Sequence, residues 1–219
     1  TQPQMARSAS EQSAAGEPIA RWLLDAAVLV NAFLVGAVLM GFEMLGSRYL
    51  FPYFGGGIDT WAGLISTVLA ALTLGYFAGG MVADRYPSPR VIAAACAFAA
   101  LYLALVPAAA DPAMGWILDH LGDGPGAILT AAAALLLAPL TCLGMFSPVA
   151  VRLLLRSTHQ TGRIAGLVYG VSTIGNIFGT LFTTFELIPT IGSRAITYLA
   201  AAVLALSALM MLFVSRRTL

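Results

Sequence analysis

Six apolar segments of bilayer-spanning length follow one another along this chain, at about 20–46, 60–83, 90–110, 125–151, 163–188 and 194–214. About 20 predominantly apolar residues are enough for a helix to cross a hydrocarbon core roughly 30 Å thick. The succession predicts an all-α, polytopic membrane protein with six transmembrane helices in one domain over 19–219. Residues 1–18 are polar and rich in Ser, Ala and Gln, and read as a disordered cytoplasmic tail. The first apolar run is too long for a signal-peptide core and lacks a small-residue cleavage pattern behind it, so it reads as a retained transmembrane helix.

Composition narrows the partners. Of the 219 residues, 59% are hydrophobic and 10% charged, which is the membrane class, with lipid as the surrounding medium. A net charge of +1 leaves no basic excess for nucleic acid. All eleven cations are Arg. With the N-terminus inside, nine of them (Arg7, Arg21, Arg85, Arg90, Arg152, Arg156, Arg163, Arg216 and Arg217) fall on the cytoplasmic side, against Arg48 and Arg194 outside. That bias predicts cytoplasmic termini in an integral membrane protein, expected in a bacterial inner (plasma) membrane. The outer side carries Asp59, Asp111, Asp119 and Asp123. Cys96 and Cys142 sit inside apolar runs and read as small packing residues rather than a disulfide framework or metal site.

The segment Gly162–Pro189 is the most sharply patterned. On a helix advancing about 100° per residue, Gly162, Gly166 and Gly170 share one face, while Gly175 and Gly179 share another roughly 160° away. Ser172, Asn176, Thr180 and Thr183 form a polar stripe between them. Small residues at this spacing let membrane helices approach closely, and hydroxyl or amide groups seek partners away from the tails. Two readings follow: a tightly packed central helix, or a helix lining a polar cavity.

Elsewhere, Glu43 shares a face with Gly36 and Ser47 near the end of the first span. An ionisable group at that depth is a functional candidate. It reads either as a structural ion pair with Arg48 or Arg194, or as a substrate or proton site. Gly55-Gly56-Gly57 joins two spans rather than a strand and a helix, so it reads as a tight turn and no nucleotide cofactor is expected. The second span carries another close-packing face, Gly75, Gly79 and Gly80, and ends in a stiff charged link from Asp84 to Arg90 that holds Pro87 and Pro89. In 111–123, Met114, Ile117, Leu118 and Leu121 share a face beside Trp116, predicting a short interfacial helix. His120 with Asp119 and Asp123 is too sparse a set to predict a metal. Pro139 and Pro148 predict kinks in the fourth span, and Arg152 and Arg156 at its inner end read as solvated anchors favourably placed against the helix dipole.

Residues 80–90 resemble the signature between the second and third helices of the major facilitator superfamily. Gly80, Ala83, Asp84, Arg85 and Arg90 fit it, with Pro87 where the pattern prefers Gly. More specifically, Phe42-Glu43-Met44, Ser47-Arg48, Pro52-Tyr53-Phe54-Gly55, Leu74-Gly75-Tyr76, Ser147-Pro148 with Arg152, and Pro189 through Arg194 resemble the membrane region of the fused major-facilitator/spermidine-synthase family. The resemblance implies half of a facilitator-like bundle, three plus three helices, without the synthase domain, so aminopropyl transfer is not assigned to these residues. It also implies a cytoplasmic gate-like cluster of Asp84, Arg85 and Arg152 that meets an opposing half. That half would come from a second copy or from a larger membrane complex, with the glycines of the fifth span (Gly166, Gly170, Gly175, Gly179) as the packing surface.

Two functions follow. One is a half-size carrier that moves a small polar or cationic solute as an oligomer, its cavity formed by Glu43, Asn176, Thr180 and Thr183, with Arg48 beside them. The other is a non-catalytic, non-transporting accessory subunit docked beside a larger membrane complex. No base and nucleophile at sensible spacing suggest an enzyme.

Overall fold

The computed structural model describes the backbone of residues 2–155 and 161–218, and side chains from Arg21. Among the described residues every regular element is helical. The helices are α1 (Gln2–Phe54), α2 (Ile58–Arg85), α3 (Pro89–Leu121), α4 (Pro125–Ala132), α5 (Ala138–Gly144), α6 (Phe146–Leu154), α7 (Thr161–Phe182) and α8 (Ile188–Thr218). α1 begins at Gln2, inside the polar segment 1–18.

Among the described residues five helical stretches, not six separate ones, are long and apolar enough to cross a membrane: Arg21–Phe54, Ile58–Arg85, Pro89–Leu121, Pro125–Leu154 and Thr161–Arg217. The last has 57 residues and contains both the fifth and sixth expected segments. It is broken at one residue, Gly192, with φ 75° and ψ 159°. A side chain there would be strained, so glycine permits a turn short enough for helical bonding to resume at once. The turn reverses the chain. α7 runs parallel to α1, with Gly175 against Phe33 and Gly179 against Ala37. α8 runs antiparallel to α1, with Asn31 facing Ser207 and Tyr49 facing Thr197.

Two other boundaries differ from expectation. α1 continues through Pro52 to Phe54 and stops where Gly55 takes a positive φ of 71°. The expected interfacial helix at 111–123 is instead a continuation of α3, which has 33 residues and passes through Pro107 and Pro112. Met114 and Ile117 are buried, so its apolar face packs on the bundle and the helix continues past the span.

The expected proline kinks take a specific form. A proline lacks an N–H and crowds the carbonyl four residues earlier. Just before Pro139 the chain widens into a π-helical turn, Ala133–Leu137, and before Pro189 into another, Thr183–Leu187. Such turns loosen the helical ladder. The Tyr102 hydroxyl of α3 donates to the Ala134 carbonyl in the first turn, and the Thr190 hydroxyl donates to the Glu186 carbonyl in the second. A second interruption at Met145 separates α5 from α6 three residues before Pro148.

Close backbone approach holds the rods together. A Cβ on Gly75 would meet the Thr141 carbonyl and Gly144, and one on Gly79 would meet Met145, so α2 lies tightly along α5 and α6. A Cβ on Gly179 would overlap the Ala37 backbone, whereas nothing lies within 4 Å of one on Gly170. The core of the bundle includes Phe42, Leu103, Leu140 and Leu204. The outside is apolar too: Leu69 and Phe77 of α2, Ile174 and Phe185 of the α7 arm, and Leu206 of α8 are exposed.

Gly170→Ala should stabilise the protein by up to about 1 kcal/mol through helix propensity. Gly179→Ala has the same propensity gain yet should destabilise by about 1–3 kcal/mol, because α1 and α7 must separate to admit the methyl group. Thermal unfolding of both variants in mild detergent checks the opposite signs.

Candidate functional site

α1 is the helix on which the site is built, since α7, α8, α2 and the Pro125–Leu154 stretch all pack on it. Around it, Gly36 points at α7, where a Cβ would meet the Ser172 carbonyl and Asn176. Gly46 points at Leu64 of α2 and Leu136 of the fourth stretch. Glu43 lies between these directions, about 20° from Gly36 and about 60° from Gly46 on a helical wheel. Its side chain is buried, 8% exposed.

Neither expected cation pairs with it. Arg194 instead forms an ion pair with Asp111 of α3, and the Tyr53 hydroxyl approaches the same carboxylate at 3.4 Å. The reason is axial: α8 runs antiparallel to α1 through the Tyr49–Thr197 contact, so Arg194 is level with Tyr53 and Asp111, roughly 13 Å along α1 from Glu43. Arg48 is exposed, five residues along α1 from Glu43 and on a different face. Among the described residues Glu43 has no hydrogen-bond or ion-pair partner. Ser47, on its face, turns its hydroxyl back to the Met44 carbonyl at 2.8 Å.

The polar stripe of α7 closes on α1 rather than opening on a cavity. Thr183 is buried against Gly41, where an added Cβ would lie 2.7 Å from its Oγ1. Asn176 Oδ1 is buried beside Gly36 and has no hydrogen-bond partner among the described residues. The Thr180 hydroxyl is satisfied within its own helix, donating to the Asn176 carbonyl at 2.9 Å. Gly36 and Gly41 leave hollows on α1, and the polar side chains of α7 fill them.

A cavity of about 160 Å³ does lie between α1, α7 and α8, but it is apolar. Its walls include Phe33, Leu45, Phe178, Phe182, Leu199 and Val203. Thr183 lines it; Glu43, Asn176 and Thr180 do not.

At the opposite end of the bundle from Arg194, Asp84 and Arg85 end α2 and Arg152 lies in the last turn of α6. The packing of Gly79 on Met145 and Pro148 puts these two helix ends side by side. All three side chains are exposed, and no ion pair links them among the described residues. Arg156, expected beside Arg152, lies outside the described residues. The glycines of α7 fall into two sets. Gly175 and Gly179 are buried against α1, while Gly166 and Gly170 face open space.

One polar seam was not anticipated. Asn31, fully buried, donates through Nδ2 to the Ser207 carbonyl at 3.3 Å, and the Cys96 thiol lies 3.8 Å from its Oδ1. This ties α1 to α3 and α8. The signal was available, because Asn31 is the one polar residue in the run from Ala26 to Phe42. Among the described residues no group of three or more His, Cys, Asp or Glu is placed to hold a metal ion. Comparison with protein-family models, curated proteins and solved structures finds no match.

Asn176→Leu should leave the isolated protein as stable as before or about 1 kcal/mol more stable, since it removes a buried acceptor that has no donor in this chain. Unfolding midpoints in detergent check this. A clear loss would overturn the reading of Asn176 as an unsatisfied amide.

Proposed function

We propose that this chain is a half-size, major-facilitator-like unit of six membrane crossings that works as an oligomer and moves a small polar or cationic solute. The observation that carries the reading is Glu43, a carboxylate buried on the central helix with no partner among the described residues. An acid kept in such a place is costly, and in membrane proteins it commonly meets a proton, a cation or an ion pathway. Counting the folded-back stretch Thr161–Arg217 as two crossings gives six, which supports the three-plus-three arrangement that the sequence resemblance implies. The open face of α7 at Gly166 and Gly170 supports docking of a second copy there. Asp84, Arg85 and Arg152 would then form the cytoplasmic face of the closed gate, both termini lying on that side of a bacterial inner membrane.

The accessory-subunit reading is favoured by a different observation. Asn176 and Thr183 are spent on the seam with α1, and the cavity beside them is apolar. A subunit that only docks needs packing faces and no solute path.

Uptake separates the two. Glu43→Gln should abolish solute accumulation in membrane vesicles while the protein remains folded if it is a carrier, and should leave uptake unchanged if it is an accessory subunit. In a background with Cys96 and Cys142 replaced by Ala, Gly166→Cys or Gly170→Cys should crosslink chain to chain in native membranes. A protein that stays monomeric in both membrane and mild detergent counts against the paired carrier.

A further inference from the structure

The cavity between α1, α7 and α8 is lined for hydrocarbon rather than for a polar solute. It runs along α1 from Phe33 to Leu45, which is about 18 Å at 1.5 Å per residue, close to the depth of one leaflet of a core roughly 30 Å thick. It is open to the outside, because Phe178, Phe182 and Leu199 on its rim are all more than 40% exposed. An unfilled hollow of this kind forfeits the dispersion contacts of every side chain that lines it.

The α1 residues lining the groove occupy an arc that runs from Phe33 round to Phe42. Continued one turn past Leu45, the same arc contains Arg48. This guanidinium is exposed and forms no ion pair with any acid at its end of the bundle (Asp59, Asp111, Asp119, Asp123 or Glu186) among the described residues. A cation at the mouth of an apolar groove one leaflet deep matches the two parts of one molecule.

We propose that the groove binds a diacyl glycerophospholipid, with one acyl chain between α7 and α8 and the phosphodiester on Arg48. The fork of donors on a guanidinium suits a phosphate oxygen pair. The bound lipid completes the packing of the α7–α8 arm, which touches the rest of the bundle mainly through α1 and α3. The inference uses the membrane placement proposed above but not the carrier reading, so no uptake measurement bears on it.

The test is the phospholipid retained after purification in mild detergent and extensive washing, measured as phosphorus per chain and by native mass spectrometry. The wild-type chain should keep about one phospholipid. Arg48→Gln should weaken binding of added dioleoyl phosphatidylglycerol about ten-fold, the scale of one charge-assisted hydrogen bond. Ala200→Phe, which fills the groove from α8, should abolish retention while circular dichroism and the elution volume stay unchanged. If Ala200→Phe misfolds, Val203→Trp fills the same groove one turn away. Equal retention in all variants, or none in the wild type, overturns the site while leaving the membrane placement intact. Recovery of the chain from the soluble fraction overturns both.

Discussion

The distance between the backbones of α1 and α7 sets much of the remaining geometry. Gly175 and Gly179 press on the backbone of Phe33 and Ala37, and in return Gly36 and Gly41 make room for Asn176 and Thr183. Each helix presents bare backbone where the other carries substituents. In lipid no gain from leaving water drives two apolar helices together, so close packing of this kind has to supply the attraction. The same approach fixes where the cavity lies: α7 is drawn onto one side of α1, α8 is drawn onto another by Asn31 and Tyr49, and a gap remains between them.

Where the chain cannot be a regular helix, it meets its backbone needs locally. Both π-helical turns precede a proline, and in each a hydroxyl is brought to a carbonyl of the loosened turn, from Tyr102 in one case and Thr190 in the other. This matters because a backbone acceptor freed from the helical ladder needs a donor wherever lipid offers no water to supply one. The two turns lie on different stretches, but both adjoin α1, so the irregular parts of the bundle surround its most tightly held helix.

Helix content and the apolar stretches were legible in the sequence because both depend on composition within a single segment. The glycine sets of the fifth span were legible as faces. What each face meets was not. A wheel drawn on Gly162–Pro189 places Asn176 and Thr183 on one stripe, but only Gly36 and Gly41, about 140 residues earlier, decide that the stripe is buried against a helix instead of lining a cavity. Glu43 fails in the same way. Arg48 points elsewhere around α1, and the antiparallel run of α8 carries Arg194 past the level of Glu43 to Asp111, neither of which a single segment shows. The reversal at Gly192 was hidden for another reason. A turn one residue long leaves no polar linker behind, so the fifth and sixth segments join into one helical stretch.

Glu43 and Asn176 are left without partners among the described residues, and the two cases differ in kind. The Asn176 amide is neutral, and membrane helices tolerate an unsatisfied neutral acceptor at modest cost. A carboxylate is another matter, because its charge must be met by a proton, a cation or a basic group. α1 is held on all sides by Gly36, Gly46, Asn31 and Tyr49, so it cannot rotate to bring Glu43 into water without breaking several close contacts together. The group that meets Glu43 therefore has to come to it. In a carrier that group is the transported cation or a coupled proton; in an accessory subunit it is a basic side chain of the neighbour. Either group would reach α1 on the side between α7 and α2, about opposite the apolar groove on the helical wheel, so it would not compete with a lipid for the same face.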